Sequence, residues 1–252
     1  MNCRLNVFKQ KSNRMIEVSV TATARQADPH RLAGKAAVVI DVLRATSVMV
    51  TALGNGAGSV IPVSSPDEAL LIKAPGRLLC GEREAVRIAG FDCGNSPLEF
   101  TTERVMGKTL VMTTTNGTEA ILRSVNARVV MIGSFLNLDR IILELVRLEL
   151  PVELVCSGTK GEFSLDDFLL AGALVSGLAQ KIRIGATDLA LLARSTWEQA
   201  ESDLCQALES CSHYRYLREL GYEQDLEYCF LQNLHPVLPI LQTDSGKIVL
   251  IK

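Results

Sequence analysis

Residues 111 to 120 read VMTTTNGTEA, and this stretch decides the fold because an apolar strand ends there and a helix begins. An Asn-Gly pair after a β-rich run ordinarily predicts a two-residue hairpin, since both residues tolerate positive φ. The residues that follow argue against a hairpin, because Ala120, Ile121 and Val125 are apolar at helical spacing. We therefore predict a strand, a polar turn and a helix start, an arrangement whose free backbone N–H groups commonly hold phosphate.

The same plan occurs at two other places in the chain. The segment from Lys35 reads KAAVVIDVLRATS, and the segment from Leu150 reads LPVELVCSGT. Repeated strand-turn-helix units predict a layered α/β/α fold with a mostly parallel or mixed sheet. In such a sheet we expect the turns after Ile40, Met112 and Val155 to face one pocket.

Length and composition indicate a folded core. With 252 residues and 48% hydrophobic content, residues 15–252 are expected to form a single α/β domain, either undivided or built from two similar packed halves. A first strand is predicted from the alternation of Ile16, Val18 and Val20, so we expect residues 1–14 to be a dispensable N-terminal extension. This basic extension has no apolar h-region, and we therefore expect a cytoplasmic protein.

Charge and residue usage exclude several classes of partner. A net charge of −2 gives no basic footprint for nucleic acid, which favours a small-molecule partner. The longest uncharged helical run, residues 168–180, is shorter than the roughly 18 apolar residues that a membrane span needs. Seven cysteines form no C-x-x-C pair and three histidines are scattered, so we expect reduced thiols and no zinc site. The sequence does not indicate an oligomeric state.

Candidate chemical groups follow the first predicted strand. Asp41, Arg44 and Thr46 place a carboxylate, a guanidinium and a hydroxyl within six residues. The alternative interpretation is an Asp–Arg surface pair with Thr46 as a helix cap.

Two further segments carry polar groups. Residues 80–100, CGEREAVRIAGFDCGNSPLEF, predict a long, ordered, functional loop that contains Glu82, Arg83, Asp92, Asn95 and Ser96. Farther on, Ser157 and Gly158 follow a strand, and Ser164, Asp166 and Asp167 precede a buried helix. For Ser164 and Asp167 the alternative is a structural capping box.

The carboxylates of Asp41, Glu82, Asp92, Asp166 and Asp167 outnumber the needs of helix caps. Hard oxygen ligands suit Mg²⁺, although that ion typically takes only one or two protein carboxylates, so some of the five must have other roles. The hydroxyls and amides of TTTNGT, with the guanidinium groups of Arg44 and Arg83, predict a cradle for phosphate or another oxyanion. The competing interpretation makes the three threonines ordinary β-branched strand residues.

Together these segments resemble the 2-phosphosulfolactate phosphatase family: VVIDVLRATS, then GERE and GFDCGNSPLEF with TTTNGT, then CSGTKGEFSLDDFLLAGA. The segment from ELGYEQDLEYC through VLPI is similar to the C-terminal part of that family. The resemblance implies Mg²⁺-dependent hydrolysis of the phosphate monoester of a small sulfonated hydroxy acid, which gives sulfolactate and phosphate. In some organisms this step belongs to coenzyme M synthesis.

On this interpretation the candidate residues take three roles. The catalytic candidates are Asp41, Arg44 and Asp167, and the metal candidates are Asp41, Glu82, Asp92, Asp166 and Asp167. The substrate-binding candidates are Thr46, Arg83, Asn95, Ser96, Thr115, Asn116, Gly117, Thr118, Ser157 and Gly158. A water molecule or an aspartate attacks phosphorus in line, and the sequence leaves both routes open.

Two other functions are compatible with these residues. One is a phosphatase for another three-carbon phosphoester. The other is a non-enzymatic, anion-binding regulatory module, against which the surplus carboxylates count. Dependence on a metal ion discriminates between an enzyme of this kind and such a module.

Overall fold

The predicted strands form one mixed sheet in the computed structural model, which describes residues 15–251. The strands are β1 (Ile16–Thr21), β2 (Ala36–Ile40), β3 (Ser59–Pro62), β4 (Arg77–Arg83), β5 (Val86–Arg87), β6 (Thr109–Thr113), β7 (Val129–Gly133), β8 (Val152–Cys156), β9 (Ile184–Ala186), β10 (Pro239–Gln242) and β11 (Lys247–Leu250). The helices are α1 (Pro29–Leu32), α2 (Ala45–Gly54), α3 (Pro66–Leu71), α4 (Thr102–Val105), α5 (Gly117–Arg123), α6 (Leu138–Leu148), α7 (Leu165–Lys181), α8 (Asp188–Ala200), α9 (Leu204–Glu209), α10 (Ser212–Glu219) and α11 (Glu223–Cys229). The predicted N-terminal extension, residues 1–14, lies outside the described residues.

The sheet consists of two parallel groups that a C-terminal hairpin joins. Its order is β5-β4-β6-β3-β11-β10-β7-β2-β8-β1-β9. Strands β4, β6 and β3 pair in parallel, and so do β7, β2, β8, β1 and β9. The hairpin β10–β11 is antiparallel to both neighbours. Because three successive pairings are antiparallel, the two parallel groups run in opposite directions.

Helices cover both faces of the sheet, as the repeated strand-turn-helix pattern predicts. Val18 and Val38 belong to a buried cluster with side chains of α6, α7 and α8. The alternate residue Val39 lies on the other face, in a second cluster with side chains of α2 and α5. Leu110 of β6 belongs to this second cluster too, so the two parallel groups share a core. The predicted layered α/β fold with a mixed sheet is confirmed.

The stretch at residues 111–120 is a strand, a turn and a helix start. Strand β6 ends at Thr113 and α5 begins at Gly117, so the hairpin interpretation is wrong and the predicted strand-turn-helix is confirmed. Within residues 15–251, no helix is both long enough and apolar enough to cross a membrane.

The expected loop at residues 80–100 is in part a β-hairpin. Strand β4 continues through Arg83, and Glu84 and Ala85 form a two-residue turn with φ of 53° and 61° before β5. The sequence conceals this hairpin, because the end of β4 is charged and the turn contains neither glycine nor asparagine. Farther along, a 3₁₀ helix spans Pro97–Glu99.

Candidate active site

A pocket lies where four strands end, and several predicted residues line it. Asp41 follows β2, Glu82 is near the end of β4, Thr115 and Asn116 follow β6, and Thr159 follows β8. Arg44 and Asn95 also line the pocket. The turns after β2, β6 and β8 therefore meet at one place, as expected, even though β6 belongs to the opposite parallel group.

Asp41 is the most perturbed carboxyl group of the pocket. Its Oδ1 accepts a hydrogen bond from the backbone N of Ala45 at 3.1 Å, at the start of α2. The pKa of Asp41 is raised to about 7, mainly by burial and in addition by the charges of Asp166 and Glu82, while the Ala45 hydrogen bond acts in the opposite direction. The ionised form of Asp41 is therefore unfavourable unless a cation compensates its charge.

Gly117 is required by close approach to Asp41. A Cβ at Gly117 would lie 2.6 Å from Asp41 Oδ2 and 2.6 Å from the Ala45 Cβ. The glycine of TTTNGT thus gives Asp41 room, and it has no positive φ that would indicate a turn requirement. Gly117 acts on the site indirectly and is not itself part of the pocket lining.

Glu82 connects two turns at the rim of the pocket. Its Oε1 accepts from the backbone N of Thr115 and its Oε2 from the backbone N of Ala85, both at 2.8 Å. The side chain is 7% exposed. Glu82 therefore holds the β4–β5 turn against the β6–α5 turn while it adds negative charge beside Asp41.

Asp167 connects the ends of two strands. Its Oδ1 accepts from the backbone N of Val42 at 2.8 Å, and its Oδ2 accepts from Ser157 Oγ and the backbone N of Gly158 at 3.0 Å each. Burial, followed by the charges of Asp166 and Asp41, raises the pKa of Asp167 well above its ordinary value. Asp167 thus joins the end of β2 to Ser157 and Gly158 after β8. These three residues do not line the pocket but support the strand ends beside it.

The alternative of a capping box at α7 is wrong. Ser164 is the N-cap residue, but its hydroxyl makes no bond to the helix backbone. It donates instead to Oδ1 of Asp166. The physical reason is that Asp167 turns toward the strand ends, where three donors converge on it.

Arg44 is neutralised by a residue that the motifs did not predict. Its Nη1 lies 2.6 Å from Oδ2 of Asp225, and both side chains are almost fully buried. The guanidinium also stacks on Tyr222, with 3.9 Å from its central carbon to the ring centroid. Ser96 Oγ donates to the other oxygen of Asp225 at 2.6 Å. Arg44 and Ser96 thus attach α11 to the pocket, and the charge of Arg44 is already balanced.

Most backbone donors of the predicted phosphate cradle already have protein partners. The backbone N of Thr114 donates to Thr118 Oγ1, that of Thr118 donates to Thr114 Oγ1, and that of Thr115 donates to Glu82. The Thr118 hydroxyl donates to the Thr114 carbonyl at 2.8 Å. These bonds stabilise the turn itself. Of the predicted cradle TTTNGT, Thr114, Thr115 and Asn116 line this pocket, and Thr118 does not.

Three other predicted residues lie outside the pocket lining. Thr46 Oγ1 donates to the Asp41 carbonyl at 2.8 Å, so it fixes the backbone of that residue. Arg83 donates to the Glu82 carbonyl and to Thr113 Oγ1, and it faces a neighbouring cavity. Asp92 accepts from the backbone N of Leu79 and is not part of the acidic group around Asp41.

The structure adds residues that the sequence motifs missed. His213 and Tyr216 of α10 line the pocket, together with Glu84 and Thr159. No local pattern marks His213, because a single histidine in a polar helix has no fixed spacing to its partners. The C-terminal segment ELGYEQDLEYC did contain a usable signal, since Tyr222 and Asp225 lie within it.

The residues present fit a divalent cation in two respects. Asp41 and Glu82 line the pocket, and the charge of Asp166 is close enough to raise the pKa of Asp41. Three carboxyl groups therefore contribute to the negative potential of the pocket. Asn95 lines the same pocket, and its buried Oδ1 has no hydrogen-bond partner among the described residues. Within residues 15–251, no three acidic, histidine or cysteine side chains form a complete ligand cluster. A Mg²⁺ site with one or two protein carboxylates and further oxygens from water or substrate agrees with this arrangement.

A mixed α/β sheet with a polar pocket at the ends of its strands is typical of an α/β enzyme that binds a small molecule. The model of the family described as 2-phosphosulpholactate phosphatase matches residues 21–244. The chain belongs to this family, whose members are phosphoric monoester hydrolases.

Curated relatives agree with this assignment. A protein of Thermotoga petrophila is 46% identical over 207 residues, which cover 82% of this chain and 89% of the relative. A protein of Symbiobacterium thermophilum is 44% identical over 226 residues, or 88% of this chain and 96% of the relative. A protein of Clostridium acetobutylicum is 40% identical over 238 residues, which cover 93% of this chain and 100% of the relative. Each is named a probable 2-phosphosulfolactate phosphatase.

Proposed function

We propose that this protein hydrolyses 2-phosphosulfolactate to sulfolactate and phosphate in a Mg²⁺-dependent reaction, within coenzyme M synthesis in organisms that make that cofactor. Family membership supports the phosphatase chemistry, and the names of the relatives support the substrate. The single observation that carries the metal dependence is the charge balance of the pocket.

That balance strongly disfavours an anion unless a cation is added. Lys160 lines the pocket and has no ion-pair partner among the described residues, whereas Arg44 is paired with Asp225. Asp41 and Glu82 also line the pocket. A substrate with phosphate, carboxylate and sulfonate groups adds several negative charges, which one lysine does not offset.

Asp41 and Glu82 are the residues that would hold Mg²⁺ on the pocket side, with Asn95 Oδ1 as a further oxygen. The bound ion supplies charge neutralisation at the phosphate oxygens. Lys160 binds a second anionic group of the substrate, and its backbone N donates to Asn116 Oδ1 at 2.9 Å, which positions the two loops relative to each other. The Asp167 bonds to Val42 and Gly158 hold the ends of β2 and β8 and so fix the position of Asp41.

In-line attack has two routes at this pocket. A water molecule attacks phosphorus directly, or the Asp41 carboxylate attacks and forms an aspartyl-phosphate that water then hydrolyses. The stereochemical course at phosphorus separates them: a single in-line attack by water inverts the configuration of a chiral phosphate ester, whereas the two successive displacements of the covalent route retain it. Trapping a phosphorylated Asp41 by acid quench decides for the covalent route.

The test of the function is phosphate release from a panel of three-carbon phosphoesters, with Mg²⁺ and with a chelator. We expect 2-phosphosulfolactate to have the highest kcat/KM and the chelator to abolish turnover. A higher kcat/KM with another three-carbon phosphoester would reassign the substrate. Binding of the esters without any phosphate release would instead support the anion-binding module, which the buried carboxylates disfavour.

A further inference from the structure

His213 lines the pocket, and neither metal binding nor the attack on phosphorus requires it. It is the second residue of α10, and it lines the pocket together with Asp41 and Lys160. Its Nδ1 lies 3.1 Å from Thr159 Oγ1. Among the described residues, its Nε2 has no hydrogen-bond partner.

A chain of hydroxyl groups connects His213 to Asp166. Thr159 Oγ1 lies 3.1 Å from Ser164 Oγ, and the Ser164 hydroxyl donates to Oδ1 of Asp166. The chain therefore runs from a carboxylate through two hydroxyls to an imidazole ring.

The carboxylate sets the direction of every bond in this chain. A hydroxyl has one proton, and that of Ser164 is given to Asp166. Thr159 must then donate to Ser164, and it has no proton left for His213. The Nδ1 of His213 must therefore be the donor to Thr159, which assigns its proton to Nδ1. Nε2 is the remaining nitrogen, and it carries a proton whenever the ring is cationic.

We propose that His213 is the general acid of the reaction and protonates the leaving oxygen through Nε2. This inference rests on the proposed function. The leaving group of a phosphorylated hydroxy acid is a secondary alkoxide, which is a poor leaving group unless it receives a proton. Because Nδ1 keeps its proton for the bond to Thr159, the proton that the cationic ring can transfer is the one on Nε2, the nitrogen without a partner among the described residues.

The proton and electron balance is complete. As the P–O ester bond breaks, its electron pair goes to the ester oxygen, which takes the Nε2 proton and leaves as the alcohol of sulfolactate. Phosphorus gains the attacking oxygen, and the net addition is one water molecule. The neutral His213 is protonated again from solvent before the next turnover.

The test compares two esters that differ in their need for a proton. In His213→Asn the side-chain amide replaces the Nδ1–H donor to Thr159 but provides no acid. We expect kcat for 2-phosphosulfolactate to fall by about 100-fold or more, which is the usual contribution of a general acid. Hydrolysis of 4-nitrophenyl phosphate should change by less than about threefold, because nitrophenolate leaves without a proton. His30→Asn, at an exposed histidine of α1, is the matched control and should leave both rates unchanged.

A second variant covers the case in which the nitrophenyl ester is not a substrate. Added imidazole should restore part of the activity of His213→Ala toward 2-phosphosulfolactate. Equal losses with both esters, no loss with either, or no rescue by imidazole would overturn the role of His213. Wild-type protein that releases no phosphate from any ester would refute the proposed function instead, and this inference with it.

Discussion

At the scale of single residues, Thr118 separates a binding role from a structural one. The sequence predicts a substrate contact, whereas the structure places its hydroxyl in reciprocal bonds with Thr114. Thr118→Val keeps the shape but leaves the Thr114 groups without partners, so we expect a loss of about 1 to 3 kcal/mol in the free energy of unfolding. The value of kcat/KM should stay nearly constant. Denaturation and kinetics on one preparation check this, and a stable variant with low kcat/KM would restore the binding role.

Asp41 allows a test of the metal site that does not depend on activity. Because burial and neighbouring charges raise its pKa to about 7, a bound cation stabilises the folded protein by offsetting that cost. We expect Mg²⁺ to raise the melting temperature of the wild type without substrate, and to raise that of Asp41→Asn much less. Glu201→Gln, at an exposed residue after α8, is the control and should respond like the wild type. An equal response of all three proteins to Mg²⁺ would exclude Asp41 as a ligand.

At the scale of secondary structure elements, Glu153 joins β1, β8 and the start of β2. It accepts from Ser19 Oγ, Thr21 Oγ1 and Lys35 Nζ at 2.5 to 2.7 Å. Burial raises the pKa of Glu153, but the bonds from Lys35, Ser19 and Thr21 outweigh it, so the net pKa lies below its ordinary value of 4.5.

A carboxyl pKa that is lower in the folded state means that, as the pH falls, the unfolded state binds more protons than the folded state does. The stabilisation by Glu153 is therefore complete above about pH 4.5, and it is lost as the pH falls through the folded-state pKa. We expect Glu153→Gln to lower the free energy of unfolding at pH 7 by about 1 to 3 kcal/mol. The difference between wild type and variant should shrink on acidification, which urea denaturation at several pH values measures. A difference that does not change with pH would contradict this assignment.

Prediction from sequence succeeded where local patterns determine the element. The alternation of Ile16, Val18 and Val20 marks β1, and the turn predicted after Met112 begins one residue later, after Thr113. It failed at the β4–β5 turn, where Glu84 and Ala85 adopt positive φ without the residues that usually announce it. Of the residues that line the pocket, sequence selected Asp41 because it follows a strand, and Glu82 and Asn95 because they lie in the polar segment of residues 80–100. It missed His213, since helix α10 reaches the pocket only through tertiary packing.

At the scale of the whole molecule, the C-terminal hairpin determines whether the pocket holds together. Asp41 and Lys160 come from the parallel group that contains β2 and β8, whereas Glu82 and Thr115 come from the group that contains β4 and β6. The hairpin β10–β11 connects these groups within the sheet. No sequence repeat predicts this connection, because it depends on pairings between distant segments.

Ile248 tests that connection. It is fully buried, pairs with Val60 of β3, and belongs to the cluster that contains residues of both groups. Ile248→Ala should lower the free energy of unfolding by about 2 to 5 kcal/mol. The loss should appear in both groups because they share one core. Ile251→Ala, at a residue that is 51% exposed just after β11, should have little effect. Hydrogen exchange at residues 109–113 and 152–156 gives the local opening free energies. Equal decreases at the two strands are expected, and a decrease confined to residues 109–113 would show that the two groups unfold independently.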